Sequence, residues 1–256
     1  LDSGEAKIAK MVKLLLSLLL IAPAAAFLST SSHARGSHTQ VSETKDDLAV
    51  LAGELNPVVG FWDPLGCLNL DFWQLGTEGT IGYLRHAEIK HGRVAMAGFL
   101  GYLVQSTDFV SGPHNNLPFP GYEAGLTPPE QWDAIPLWGK IQIVTFVGML
   151  ESYGELLPVH YTKGGVPGYY PPIKGNRPEL VLNLYDPFNF FSRMTPEAKE
   201  AGLVKEINNG RLAMIGLFSF LAEARVPGSV PVLTGIIPPY NGNIMIPFEG
   251  DFSFFG

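Results

Sequence analysis

Two stretches of sequence decide the fold: EIKHGRVAM at residues 88–96 and EINNGRLAM at residues 206–214. Glu, Ile, Gly, Arg, Ala and Met recur at the same places in both stretches, so the chain contains an internal repeat. Each stretch lies in a segment near the length of about 20 residues that a bilayer-spanning helix needs. The repeat therefore predicts two similar helices related by an approximate two-fold axis.

Helices long enough to cross a membrane are expected at residues 80–105, 137–157 and 199–224. The first and third of them contain the repeated stretches, and the middle one lies outside the symmetry. We therefore predict an all-α membrane protein with three transmembrane helices. The first and third are expected to cross each other and to be pseudo-two-fold related.

The repeated charges cannot pair within their own helix. Glu88 and Arg93 are five positions apart, which is about 140° around the helix axis, whereas helical neighbours are three or four positions apart. Four unpaired charges in a bilayer would cost on the order of 10 to 14 kcal/mol, as much as a typical domain's stability. If the helices cross near the repeated glycines, where small residues permit close approach, Glu88 reaches Arg211. By the same symmetry Glu206 reaches Arg93.

The paired carboxylates are also candidate metal ligands, because each keeps a free oxygen of the kind that Mg²⁺ prefers. His91 and Asn209 follow the two Glu residues by three positions and project from the same side of each helix. Two ligands one turn apart hold a bare Mg²⁺ poorly, whereas magnesium inside a macrocycle needs one axial ligand. The pattern therefore favours a pigment whose magnesium is ligated by Glu88, His91, Glu206 or Asn209.

A di-iron site and a purely structural role are the two alternatives to pigment ligation. Glu-x-x-His occurs in di-iron helix bundles, but those need a second such motif, and the second copy here has Asn209. The Glu and Arg residues would also serve as structural glue alone, which leaves the placement of His91 and Asn209 on one face unexplained. The histidines His86, His114 and His160 are expected to have roles other than ligation, with His86 as a polar residue at the membrane interface.

Composition excludes a general nucleic-acid binder. The chain has 17 Lys and Arg against 24 Asp and Glu, a net charge of −7, whereas phosphate binding requires a basic face. The single cysteine, Cys67, excludes an intramolecular disulfide and a Cys-built metal site.

The N-terminal segment is predicted to be removed before the protein works. Residues 1–45 combine a leader, a signal peptide that starts at Met11, and a Ser- and Thr-rich transit peptide. Ala24 and Ala26 occupy the positions typical of a signal cleavage site. Residues 46–256 are then the mature domain with its three membrane helices.

The chain resembles the light-harvesting chlorophyll-binding proteins of photosynthetic membranes from about residue 61 to residue 224, on the paired E-x-x-H/N-G-R-x-A-M stretches. The resemblance implies that residues 46–256 are a three-helix chlorophyll-binding membrane domain. It also implies that four side chains ligate chlorophyll magnesium and that two arginines bridge the crossed helices. The ligands would be Glu88, His91, Glu206 and Asn209, and the bridging cations Arg93 and Arg211.

Further site residues are implied by the same resemblance. Asp63 and Asp186, each followed by Pro, match turns that hold the ends of two carotenoids. Glu223 stands where the family often has a Gln ligand, and Glu151 and Gln142 lie near ligand positions of the middle helix.

The tandem presequence and the tail VPGSVP at residues 226–231 resemble the chlorophyll a/c subgroup of red-lineage secondary plastids. This implies an antenna that binds chlorophyll a, chlorophyll c and a fucoxanthin- or peridinin-type xanthophyll, without enzymatic activity. Its expected place is the thylakoid membrane, beside a photosystem I or II core and other antenna subunits. Basic residues at 158–199 and their absence at 106–139 predict a stromal N-terminus. A photoprotective, energy-dissipating member of the family is the alternative function.

Overall fold

The computed structural model describes residues 44–71, 74–112, 121–171, 190, 193–249 and 251. These residues form helices and connections, without β-strands. The helices are α1 (Lys45–Leu55), α2 (Gly76–Gln105), α3 (Asp108–Ser111), α4 (Pro128–Ala134), α5 (Leu137–Glu155) and α6 (Pro196–Arg225), with short 3-10 helices at Cys67–Asn69 and Tyr161–Lys163. The all-α prediction is confirmed, and the three predicted long helices are α2, α5 and α6.

Some predictions fall on residues outside these ranges. They are the signal and transit peptides, Asp186 and His114. Among the residues that are described, no helix is both long enough and apolar enough to qualify as a membrane span.

Local hydrogen bonding explains where the first helix begins. Thr44 and Asp47 form a reciprocal capping box at the start of α1, in which each side chain accepts a hydrogen bond from the other's backbone N–H. These hydrogen bonds from Thr44 hold the pKa of Asp47 below its usual range. Thr127 and Glu130 repeat the device at α4.

The described residues group into two compact units, which divide the long helices between them. The first unit contains residues 95–148 and 212–251, and the second contains residues 44–94 and 149–211.

The core of the first unit is aromatic. Tyr102 and Phe220, buried on α2 and α6, pack with ring centroids 5.1 Å apart. The C-terminal tail completes this core with Tyr240, whose backbone N–H donates to the Ala224 carbonyl at 2.7 Å. The tail is held again at Asp251, whose Oδ2 lies 2.6 Å from Nζ of Lys140, a lysine that is only 2% exposed.

Close backbone contact organises the second unit. A Cβ added to Gly210 would lie 2.8 Å from Cα of Gly92, so α2 and α6 touch backbone to backbone at the repeated glycines. The connection after α5 also lies directly on α2. Its Gly168, at φ +76, approaches Ile89 so closely that an added Cβ would lie 2.8 Å from the Ile89 side chain.

Apolar side chains cover much of the outer surface of the long helices. On α2, Val94 is 70% exposed, and on α6, Phe218 is 73% exposed. Helix α5 exposes the largest group, which consists of Trp138, Ile143, Val144, Phe146, Val147, Met149 and Tyr153. Exposed apolar faces on this scale mark surfaces that contact lipid, ligands or other proteins.

The glycine contact predicts an asymmetric response to alanine. We expect Gly210→Ala to lower the free energy of unfolding by about 1 to 3 kcal/mol, the usual cost of overpacking. The matched control is Gly101→Ala in α2, where an added Cβ meets nothing within 4 Å. The control should be neutral or stabilising, because Ala is the better helix former. Thermal unfolding followed by circular dichroism measures both, and equal midpoints would contradict the prediction.

Candidate functional site

The repeated charges pair reciprocally, as the sequence predicts. Nε of Arg93 donates to Oε1 of Glu206 at 2.5 Å, and Nε of Arg211 donates to Oε1 of Glu88 at 2.7 Å. Both pairs lie in the second unit, next to the glycine contact. Because α2 and α6 touch there without side chains between them, each arginine reaches the carboxylate of the opposite helix.

The two pairs differ in burial and in further contacts. Glu206 is 5% exposed and Glu88 is 31% exposed. Arg93 also donates from Nη1 to the carbonyl of Gly168 at 2.6 Å, so its guanidinium bridges α6 and the connection after α5. The planar fork of arginine suits this double contact. The Arg93–Glu206 pair is therefore the more constrained of the two.

Each paired carboxylate keeps an oxygen to which no described residue donates a hydrogen bond. In both Glu88 and Glu206 the arginine contacts Oε1 only. The arginine neutralises the charge, and Oε2 keeps its lone pairs for a hard cation. The donor chemistry of this oxygen fits a magnesium macrocycle, which needs an oxygen or nitrogen donor from the protein.

His91 also keeps a lone pair available for a metal, because a hydrogen bond fixes the tautomer of its ring. Its Nδ1 lies 2.7 Å from the carbonyl of Ala87, which can only accept, so Nδ1 carries the proton. Nε2 is then the unprotonated nitrogen with a free lone pair, and the side chain is exposed. A hydrogen bond that fixes the tautomer of a ligating histidine is a common feature of metal sites.

Asn209 and its neighbour Asn208 have different surroundings. Nδ2 of Asn208 donates to the carbonyl of Leu55 at 3.1 Å and so ties α6 to α1. The Asn209 side chain makes no hydrogen bond to the described residues, and its amide oxygen is a neutral donor atom. No cluster of three or more His, Cys, Asp or Glu suited to a bare metal ion occurs in the described ranges.

The middle helix carries a third paired carboxylate, and sequence reasoning missed its cation. Glu151 is paired with Lys90 of α2, and Gln142 is exposed and makes no hydrogen bond to the described residues. Lys90 itself was the available signal, because a lysine in a helix expected to lie in lipid requires a carboxylate partner.

The rings of His86 and His160 are held by contacts with other described residues. His86 is buried, not interfacial as predicted, because its Nδ1 accepts from the Gly168 N–H at 3.0 Å and its ring stacks on Tyr161 at 3.8 Å. Both nitrogens of His160 have partners, Thr162 and Glu155. Burial, with the nearby Glu155 carboxylate, raises the pKa of Tyr161 to about 12, so its hydroxyl stays protonated.

The turn at Asp63 is stabilised by its own carboxylate. Oδ1 accepts from the N–H of Cys67 at 2.8 Å, and Oδ2 accepts from the N–H of Leu68 at 3.1 Å. Asp63 therefore accepts hydrogen bonds from the first backbone N–H groups of the short 3-10 helix. Its expected role at the end of a carotenoid stays a prediction.

Comparison with known proteins identifies the family to which the chain belongs. A family model described as Chlorophyll A-B binding protein matches residues 48–225, most of the chain. The chain belongs to the chlorophyll a-b binding protein family. Family membership confirms the resemblance drawn from the repeat and makes the chain a chlorophyll-binding, light-harvesting antenna protein, which is a non-enzymatic kind of protein.

Curated members of the family align over most of the chain. The fucoxanthin-chlorophyll a-c binding protein, chloroplastic, of Trieres chinensis is 30% identical over 230 residues, which are 87% of this chain and 98% of the relative. Protein D of the same name from Macrocystis pyrifera is 31% identical over 190 residues, 72% of this chain and 92% of the relative. Protein C from Phaeodactylum tricornutum is 29% identical over 208 residues, 81% of this chain and 92% of the relative.

Glu223, predicted as a pigment ligand from the family resemblance, accepts two backbone hydrogen bonds in the structure. Its Oε1 accepts from the N–H of Gly228 at 2.9 Å and its Oε2 from the N–H of Val230 at 2.8 Å. The side chain is 1% exposed. The carboxylate therefore anchors the start of the C-terminal tail. Its role as a pigment ligand stays a prediction.

Replacing Glu223 separates the two roles. We expect Glu223→Ala to make residues 226–251 cleavable by a protease, since two backbone N–H groups lose their acceptor, while the number of bound chlorophylls stays unchanged. Limited proteolysis and pigment extraction measure these two quantities. Loss of one chlorophyll with an intact tail would support the ligand role and contradict the role as an anchor.

The difference in burial between the two arginine pairs predicts different costs. Arg93→Leu should lower stability by about 3 to 5 kcal/mol, because it strands the buried Glu206. Arg211→Leu should cost less, because Glu88 is more exposed. The double variant Arg93→Leu with Glu206→Gln should recover part of the loss, because no charge is stranded. Thermal unfolding measures all three, and the reverse order of the two arginine variants would refute this ranking.

Proposed function

We propose that this antenna binds chlorophyll a, chlorophyll c and a fucoxanthin-type xanthophyll in the thylakoid membrane of a plastid, and passes excitation to a photosystem. The observation that supports the proposal is the pair of reciprocal Glu–Arg contacts. In each of them the arginine contacts Oε1 of the carboxylate, and Oε2 accepts no hydrogen bond from the described residues. The pigment types are suggested by the names of the fucoxanthin-chlorophyll a-c binding relatives.

The proposed division of labour follows from the contacts. Glu88, His91, Glu206 and Asn209 would each ligate a chlorophyll magnesium, and Gln142 and Glu151 would ligate two more on the middle helix. Arg93 and Arg211 cancel the carboxylate charge and fix its orientation. Bound chlorophyll supplies the light absorption, and the protein supplies fixed positions and orientations. Asp63 shapes the turn proposed to receive a carotenoid end.

A three-helix membrane arrangement would explain both the paired charges and the exposed apolar side chains. We propose that α2, α5 and α6 cross the bilayer, that α2 and α6 cross each other at Gly92 and Gly210, and that the N-terminus is stromal. The ionised groups of α2 and α6 at the glycine contact are paired, which lowers the cost of placing them in lipid. The exposed apolar side chains on all three helices support contact with lipid and pigment.

The proposed partners are thylakoid lipids, a photosystem I or II core and other antenna subunits. Nucleic acid is not among them, given the acidic balance of the chain. The activity is energy transfer without chemical turnover, so no catalytic residue is proposed. We also propose that residues 1–45 are removed on import and that residues 46–256 form the mature domain.

The ligand assignment is testable with adjacent asparagines. Asn209→Leu should lose about one chlorophyll per polypeptide, because it removes a magnesium ligand, whereas Asn208→Leu should keep the full number. Extraction and chromatography of pigments from complexes reconstituted with chlorophyll a, chlorophyll c and fucoxanthin provide the counts. Fluorescence excitation spectra check that fucoxanthin and chlorophyll c sensitise chlorophyll a emission. A wild-type chain that takes up no chlorophyll would refute the proposed function.

A further inference from the structure

Lys90 connects α2 to the middle helix. Its Nζ pairs with Oε2 of Glu151 and lies 3.4 Å from Oε1 of Glu155, both on α5. All three residues belong to the second unit. Lysine is a compact charge on a flexible stem, so one ammonium group can serve two carboxylates.

The two carboxylates differ in what else holds them. Glu155 has further partners: Nε2 of His160 lies 2.7 Å from its Oε2, and the Tyr161 hydroxyl lies 3.5 Å from its Oε1. Glu151 has Lys90 alone among the described residues. Oε1 of Glu151 therefore accepts no hydrogen bond from the described residues, and the Glu151 side chain is 54% exposed.

Glu151 thus repeats the arrangement of Glu88 and Glu206. In each case one carboxylate oxygen contacts a cation from another helix, and the other oxygen has no hydrogen bond from the described residues. The cation is an arginine in two cases and Lys90 in the third.

The repeat itself singles out the position of Lys90. Residue 90 of the first copy aligns with Asn208 of the second, and both reach outside the repeated pair of helices. Lys90 contacts α5, and Asn208 contacts Leu55 at the end of α1. The position is used in both copies to attach a further helix, but only the first copy brings a charge.

We propose that Lys90 is a positioning residue for a chlorophyll on the middle helix. It neutralises and orients Glu151, so that the free oxygen of this carboxylate ligates the magnesium. Glu155, which is held by His160 and Tyr161, keeps the ammonium group near the C-terminal end of α5 without serving as a ligand. This inference rests on the proposed function and adds the residue on which its third carboxylate ligand depends.

The role of Lys90 is tested by removing its charge alone and by removing the charges of Lys90 and Glu151 together. Lys90→Met should lose about one chlorophyll per polypeptide in complexes reconstituted with chlorophyll a, chlorophyll c and fucoxanthin, because Glu151 is left as an unpaired charge. The double variant Lys90→Met with Glu151→Gln should regain that chlorophyll, because the glutamine oxygen is a neutral ligand that needs no counter-charge. Lys90→Arg should keep it, and the control Glu155→Gln should keep it as well.

The readouts are chlorophylls per polypeptide and the circular dichroism of the chlorophyll red band. Full pigment in Lys90→Met would overturn the inference. A double variant as depleted as Lys90→Met, or one that fails to assemble as the single variant does, would also overturn it and leave Lys90 as a tie between helices. If the wild-type chain binds no chlorophyll, the proposed function fails and this inference fails with it. If the wild type binds and Lys90→Met matches it, only the inference fails.

Discussion

A carboxylate in apolar surroundings needs a counter-charge, and this constraint organises the second unit. Glu88 and Glu206 cannot be neutralised within their own helices, so each takes an arginine from the opposite one. That exchange requires the helix backbones to touch, which only glycine at positions 92 and 210 allows. The ion pairs and the glycine contact are therefore two aspects of one requirement.

The two copies of the repeat share some tasks and divide others. Shared residues make the common contacts, because Glu, Gly and Arg perform the same pairing in both copies. Differing residues attach different neighbours, as Lys90 contacts α5 and Asn208 contacts the end of α1. The connection after α5 adds to the asymmetry, since Gly168 accepts from Arg93 and has no counterpart at Arg211 among the described residues. An approximate two-fold pattern thus supports two unequal sites.

The sequence was sufficient to predict those features that depend on helical periodicity and on the balance of charges. It predicted the three long helices and both reciprocal pairs, because spacing on a helix and the cost of a lone charge limit the choices. It did not predict the contacts of Glu223 with residues 228–230. It failed for the interfacial position of His86, whose partner Gly168 lies in an irregular connection. Nothing in a helical period encodes where a connection rich in Gly and Pro returns to a helix.

Stability alone does not explain why the long helices keep the pairs Arg93–Glu206, Arg211–Glu88 and Lys90–Glu151. A buried ion pair is often no more stabilising than well-packed apolar residues of the same volume, because both charges lose their hydration. Apolar side chains at Glu206 and Arg93 would therefore hold α2 and α6 together equally well. What they could not provide is an oxygen lone pair on an electrically neutral group inside apolar surroundings. The ligation of a magnesium macrocycle that we propose requires such a donor, and it would give the pairs a purpose that helix packing does not.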